Sequence, residues 1–293
     1  PALPPVGFGC SRYRGGETYV DLADALGRAL DAGCRLFDTA ELYGTESTIR
    51  DALARRGRPD ADAVTLVSKV WNTNHAPGDL RRACEASLDR LGVDRLDYYL
   101  LHWPDAWEHR GPLGDASRLA HEELQARAFP TDDDGEPREA TVDLATTWRA
   151  MEALVDDGLV ERLGVCNVDR DALASLSETA RHPPALVQVE RHPYRPREAL
   201  VDRCHERGTR VVAHSPLSAP GLLDEPVLAE VADAHGVTPA QAVLRWNVER
   251  GVVPVPSSTD PDHVVDNLDL FGFSLSDRER ERVDALRDPE FSR

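Results

Sequence analysis

Eight short β-rich runs alternate with amphipathic stretches along this chain, and no two runs stand close enough to form a hairpin. The runs fall at residues 6–10, 36–38, 65–69, 96–102, 162–166, 186–190, 210–215 and 252–255. Helical periodicity falls between them, at residues 19–32, 47–56, 79–91, 144–157, 169–180, 196–207 and 239–250. In the first of these stretches Leu22, Ala25, Leu26, Ala29 and Leu30 recur at three-to-four spacing, and Gly33 follows as a stop. Thr238 and Pro239 read as an N-cap and a first helical position. Strands joined only by helical crossovers are parallel. Two architectures satisfy that pattern, an open doubly wound sheet and a closed (β/α)8 barrel. The open sheet usually carries a glycine fingerprint after its first strand. Here Gly7 and Gly9 lack the third glycine, and Gly15 and Gly16 stand too far on. The expectation is an α/β chain folded as a (β/α)8 barrel.

The length of 293 residues suits one such barrel with loops. No repeat or linker divides it, so residues 1–293 are expected to form one domain. The connection after the fourth run, residues 103–142, holds four prolines and an Asp-rich turn. Loops of that length inside a compact domain are functional or mobile. In a barrel this one lies at the C-terminal mouth, with a short helix expected within residues 116–128.

Charge and cysteine usage narrow the partners. Net charge is −18, with 52 acidic residues spread along the whole sequence. Phosphate backbones need a basic surface, so a nucleic-acid partner is not expected. Salt screens the self-repulsion of such a surface, which suits a salty cytosol; GC-rich coding alone would also explain the excess of Arg over Lys. No apolar run reaches the ~20 residues of a membrane span. The start at Pro1 has neither the basic nor the apolar part of a secretory signal, and it lacks Met, which implies preceding residues. Cys10, Cys34, Cys84, Cys166 and Cys204 show no CxxC spacing, so they read as buried, reduced thiols of a cytoplasmic protein, with no metal site.

The chemistry stands at the ends of the second, third and fourth runs. The second leads into Asp38-Thr39-Ala40-Glu41-Leu42-Tyr43-Gly44, the third ends in Ser68-Lys69-Val70-Trp71, and the fourth in His102-Trp103-Pro104. A barrel would bring an acid, a phenol, an ammonium and an imidazole to one mouth. Taken singly, such an Asp is usually a turn residue, such a Tyr usually packs, and such a His usually satisfies a backbone group. Lys69 is different. It is the one lysine among 34 cationic residues, at a place where Arg would be a bulkier, fixed fork.

These motifs resemble those of the aldo-keto reductase family. So do Gly164-Val165-Cys166-Asn167, Gln188-Val189-Glu190-Arg191-His192-Pro193, Ser215-Pro216-Leu217-Ser218 and Val255-Pro256-Ser257-Ser258, which follow in the family's order. The resemblance runs from Gly7 to about Leu286. It implies reduction of a small-molecule carbonyl by NADH or NADPH, with Asp38, Tyr43, Lys69 and His102 as a catalytic tetrad. Tyr43 would protonate the carbonyl oxygen, and Lys69 would lower the phenol's pKa from its usual value of about 10. Asp38 would hold Lys69, and His102 would position the substrate. Trp71 and Trp103 would line the substrate pocket, and Trp148 reads as core.

By the same resemblance Asn167 and Gln188 hold the nicotinamide carboxamide, beside Cys166, where the family commonly has Ser. His214 replaces the aromatic residue under the nicotinamide ring, and Gly9, Cys10 and Ser11 belong to the same cofactor site. Ser215, Leu217 and Ser218 would lie beside the pyrophosphate, and Asp266 and Asn267 by the adenine. The departures cluster around Ser258: Ser257 and His263 stand where NADPH-preferring members have Lys and Arg. Asp260 and Asp262 add negative charge there, so dual cofactor use or a leaning to NADH is expected. Two other functions fit parts of the sequence: a non-catalytic nucleotide-binding subunit of the same fold, and a barrel lyase using Lys69 as a Schiff base.

Overall fold

The computed structural model describes residues 3–11, 21–56 and 64–291. Eight strands follow one another around a sheet in sequence order: β1 (Phe8–Gly9), β2 (Leu36–Asp38), β3 (Thr65–Val70), β4 (Leu96–Leu101), β5 (Val160–Cys166), β6 (Leu186–Glu190), β7 (Arg210–His214) and β8 (Val252–Pro254). Every neighbouring pair is parallel. The ring is closed by two backbone bonds, Gly7 N–H to the Pro254 carbonyl at 3.0 Å and Gly9 N–H to the Pro256 carbonyl at 2.9 Å. Glycine is required at this seam. A Cβ on Gly9 would stand 2.7 Å from the Val255 carbonyl oxygen, so a side chain would push the first and last strands apart. The (β/α)8 barrel expected from the alternation is the observed fold.

Side-chain parity along the strands builds two cores. Leu36, Val67, Tyr98, Leu100, Leu186, Val212 and Val253 fill the barrel interior. Their neighbours Phe37, Leu66, Tyr99, Leu101, Val187 and Val211 face outward into a larger layer under the helices. That layer is covered by α1 (Ala23–Asp31), α2 (Glu46–Arg55), α3 (Pro77–Leu91), α5 (Leu144–Asp156), α6 (Arg170–Thr179) and α7 (Glu198–Glu206). Trp148 is buried there on α5, as expected. The helix expected over residues 19–32 begins at Ala23; residues 19 and 20, like Gly15 and Gly16, lie outside the described residues. Thr238 caps α9 (Pro239–Glu249) in a reciprocal box with Gln241.

Three helices went unread in the sequence: α8 (Pro226–His235), α10 (Pro261–Asp266) and α11 (Asp277–Asp284). The last is charged on nearly every side and buries only Val283. The long connection after β4 is folded rather than loose. It contains α4 (His121–Ala128) and two antiparallel bridges, Trp107 with Glu139 and Thr131 with Pro137. Its apolar side packs Leu113, Leu124 and Phe129 around Trp71. No described helix is long and apolar enough to cross a membrane. All five cysteines are free and buried, and burial raises each thiol's pKa.

Candidate active site

The parity that fills the barrel also assembles the site. Leu36 faces inward, so Asp38 does too; Val67 faces inward, so does Lys69; Leu100 faces inward, so does His102. The three side chains meet above the last apolar layer. Lys69 is fully buried, and its Nζ donates to Asp38 Oδ2 at 2.8 Å and to the Thr39 carbonyl at 2.8 Å. Gln188 Nε2 donates to the other oxygen, Asp38 Oδ1, at 2.7 Å. Tyr43 comes from a 3-10 turn, Glu41–Tyr43, that follows β2. Its Oη stands 3.2 Å from His102 Nε2, and Lys69 Nζ lies 5.0 Å from its ring centre.

Burial and the ion pair set the protonation states. Enclosure pushes Tyr43 up to about 12, with Lys69 pulling down and Asp38 pushing up. Lys69 was expected to carry this phenol below its ordinary value. Burial of the phenol outweighs it. For Lys69 itself burial favours the neutral amine, but Asp38 and Tyr43 together hold its pKa above the ordinary value. His102 is driven well below the usual histidine range by burial, then by Lys69 and His214, so it is neutral at physiological pH.

A cavity of about 540 Å³ opens over this group, with Asp38, Tyr43, His102 and Trp103 at one end. Gly9 and Ser11 line it from β1 and the residues after it, Asn167 from just past β5, Gln188 from β6, and His214, Ser215, Leu217 and Ser218 from β7 and its loop. Asn167 and Ser215 are held at φ 55° and 50°, in the left-handed region that non-glycine residues rarely adopt. Such strain gathers where a surrounding site fixes the backbone. A second hollow of about 270 Å³ shares Leu217 and Ser257 with the first, so the two form one trough. Ser258, His263, Asp266 and Asn267 line its far end.

Three expected site residues stand elsewhere. Cys10 is wholly buried, with its thiol donating to the Phe8 carbonyl at 3.6 Å, in the layer under the helices. Cys166 faces inward but lies among the apolar residues of the barrel interior, so it offers no atom to the trough. Trp71 is 5% exposed, donates its indole N–H to the Ala128 carbonyl at 2.6 Å, and meets His102 edge-on at 4.9 Å. It backs the imidazole rather than lining the cavity. Trp103, 42% exposed, is the tryptophan that lines the mouth.

Asp260 has a second role beside its charge. Its carboxylate accepts from Asp262 N–H and His263 N–H and starts α10. It remains ionised, held below the usual carboxylate range by those backbone bonds. The sequence reading missed Leu223, Thr238 and Pro239 at the far hollow, and Glu41 beneath the tetrad. Glu41 carried one signal, an acid two residues before the key tyrosine.

The Aldo/keto reductase family model matches residues 5–288. The chain belongs to that family. Aldo-keto reductase family 1 member A1 of Cricetulus griseus is 36% identical, over 97% of this chain and 86% of that protein. Aldose reductase B of Dictyostelium discoideum is 35% identical, over 97% of this chain and 89% of its own length. A solved aldose reductase from Schistosoma japonicum superposes with a TM-score of 0.87 at 33% identity, covering 99% of this chain and 91% of that one. This aldo-keto reductase is therefore an oxidoreductase of carbonyl chemistry, with small molecules as substrates.

Proposed function

We propose that this protein reversibly reduces aldehydes or ketones with NADH or NADPH, and that Tyr43 is the proton donor. The observation that carries this reading is the Lys69–Asp38 ion pair, sealed beneath Tyr43 and His102 at the floor of the cavity. When bound, the nicotinamide supplies the hydride. The side chains do the rest. Charge growing on the carbonyl oxygen meets the Tyr43 hydroxyl and His102 Nε2, which stand 3.2 Å apart and together frame one acceptor position. An alkoxide is a stronger base than a phenolate, so a phenol near 12 still yields its proton downhill. Lys69 stabilises the phenolate left behind, and Asp38 with the Thr39 carbonyl keeps the ammonium charged and aimed.

The trough suits a dinucleotide, whose two ends need connected hollows. Asn167, Gln188 and His214 would meet the nicotinamide, with Gly9 and Ser11 on the opposite wall. Ser215, Leu217 and Ser218 would follow the pyrophosphate, and Ser257, Ser258, His263, Asp266 and Asn267 the adenosine. Ser257 and His263 give a 2′-phosphate no lysine or arginine, which supports dual use with NADH at least comparable to NADPH. Five enclosed, reduced thiols suit a cytoplasmic setting.

A Schiff-base role for Lys69 runs against the ion pair, because an amine held charged is no nucleophile. The Tyr43→Phe variant tests the mechanism. Carbonyl reduction should fall by roughly two to four decades, the scale of general acid catalysis, with cofactor affinity unchanged. Near-wild-type turnover would end it.

A further inference from the structure

We propose that Glu41 is a positioning residue, whose carboxylate fastens the turn carrying Tyr43 to the end of the strand carrying Lys69. The inference rests on the roles given above to those two residues.

Glu41 opens the 3-10 turn that ends in Tyr43 and is only 3% exposed. Its Oε1 accepts from the Trp71 backbone N–H at 2.5 Å, two residues beyond Lys69. Asn74 Nδ2 donates to both carboxylate oxygens at 3.0 Å. Asn74 Oδ1 in turn lies 3.0 Å from His109 Nδ1, and His109 Nε2 lies 3.4 Å from Asp79. One carboxylate therefore joins the phenol's turn, the ammonium's strand and the long connection after β4. Trp71, fixed by the same bond, is the ring that backs His102.

Among the described residues, no cation is hydrogen-bonded to Glu41. Arg90 of α3 is nearby but gives its Nε to Glu46 of α2 at 2.6 Å and an Nη to Ser87. The other ionisable groups facing Glu41 are Cys84 of α3 and Tyr99 of β4, with Tyr43 on its own turn. Burial pushes Glu41 up to about 7, against the Trp71 and Asn74 donors and Arg90, with Glu46 adding to the rise. The ionised carboxylate accepts all three bonds. Once protonated at Oε2, it presents a hydroxyl where Asn74 Nδ2 had an acceptor, so that bond is lost while Oε1 still accepts from Trp71. The fastening therefore holds above neutral pH and loosens below it.

The test compares wild type, Glu41→Gln and Asn74→Ala, with benzaldehyde and each nicotinamide cofactor from pH 6 to 8. Wild-type kcat should fall about tenfold toward pH 6, as an acid near 7 takes up its proton. Glu41→Gln should lose about tenfold in kcat at pH 8, the scale of one or two hydrogen bonds, and show no acid limb. Its KM and cofactor Kd, the latter read by tryptophan fluorescence quenching, should stay within about twofold, since its contacts are to the turn and strand. Asn74→Ala keeps the acid and removes two donors, so its acid limb should move to higher pH. A Glu41→Gln variant with wild-type kcat and limb, or an Asn74→Ala limb that stays in place, overturns the inference. So does a wild type without the limb. A wild type that reduces no carbonyl defeats the proposed function instead. The fastening is then read from intrinsic fluorescence, which should change near pH 7 in wild type and not in Glu41→Gln; equal behaviour overturns it.

Discussion

His214 Nε2 lies 2.9 Å from Asn167 Oδ1, and Asn167 Nδ2 donates to the His102 carbonyl at 2.9 Å. The imidazole thus orients an amide that is itself held in a left-handed backbone. An aromatic hydrocarbon ring at this position could stack but could not orient the amide. His214→Ala should weaken cofactor binding about tenfold, combining one hydrogen bond with lost contact area. Fluorescence titration with NADH measures it. An unchanged Kd would mean that Asn167 needs no help.

The enclosed phenol makes the two directions of reaction respond differently to pH. Tyr43, raised to about 12, stays protonated across the neutral range, so the acid needed for carbonyl reduction is not lost there. Alcohol oxidation needs the phenolate, whose share grows as pH rises toward that value. Alcohol oxidation should therefore climb steadily from pH 8 to about 10, above the Glu41 limb, while reduction gains nothing from the same change. A parallel rise in both directions would count against Tyr43 as the group being titrated.

Cofactor choice is expected to turn on two side chains in the far hollow. Ser257 is exposed and neutral, and Asp260 already occupies the amide donors that open α10. A 2′-phosphate would meet neither a lysine nor free helix N–H groups from those two residues. Introducing Ser257→Lys with His263→Arg should shift kcat/KM toward NADPH by about one to two decades, as charge-assisted bonds allow. A wild type that already prefers NADPH strongly would place the phosphate on other residues.

The acidic surface should make stability depend on salt. Asp132, Asp133, Asp134 and Glu136 are all exposed within one turn, and net charge is −18. Screening of that repulsion predicts a higher Tm in molar KCl than in dilute buffer. A flat or falling Tm leaves the arginine bias as a matter of coding alone.

Much of the architecture was legible because strand parity and helical period are written in apolar residues. Asp38, Lys69 and His102 follow that parity, so their convergence could be read before any coordinates. Cys10 misled for a related reason: one step in parity turns a residue from the mouth to the core, and β1 is too short for the sequence to display its phase. The resemblance puts Trp71 on the pocket wall, and it even shares the parity of Lys69, but it stands one residue past the end of β3, where the long connection and α4 close over it. For Glu41 the one signal, its nearness to Tyr43, does not reveal its role. An acid in a loop ordinarily faces water, and only the fold reveals that Trp71 and Asn74 close over it.

The seam between the first and last strands has a thermodynamic consequence. Gly9 and Pro256 are joined from nearly opposite ends of the chain, so their contact carries a large loop-closure entropy. Gly9 and Ser11 line the trough from one side of that seam, and Val255, Pro256 and Ser257 from the other. Any ligand lying across both sides acts as a clasp, adding its binding free energy to ring closure by mass action. Occupancy and the integrity of the barrel are then a single linked equilibrium, readable as slower hydrogen exchange at the Gly7 and Gly9 amides when the trough is filled.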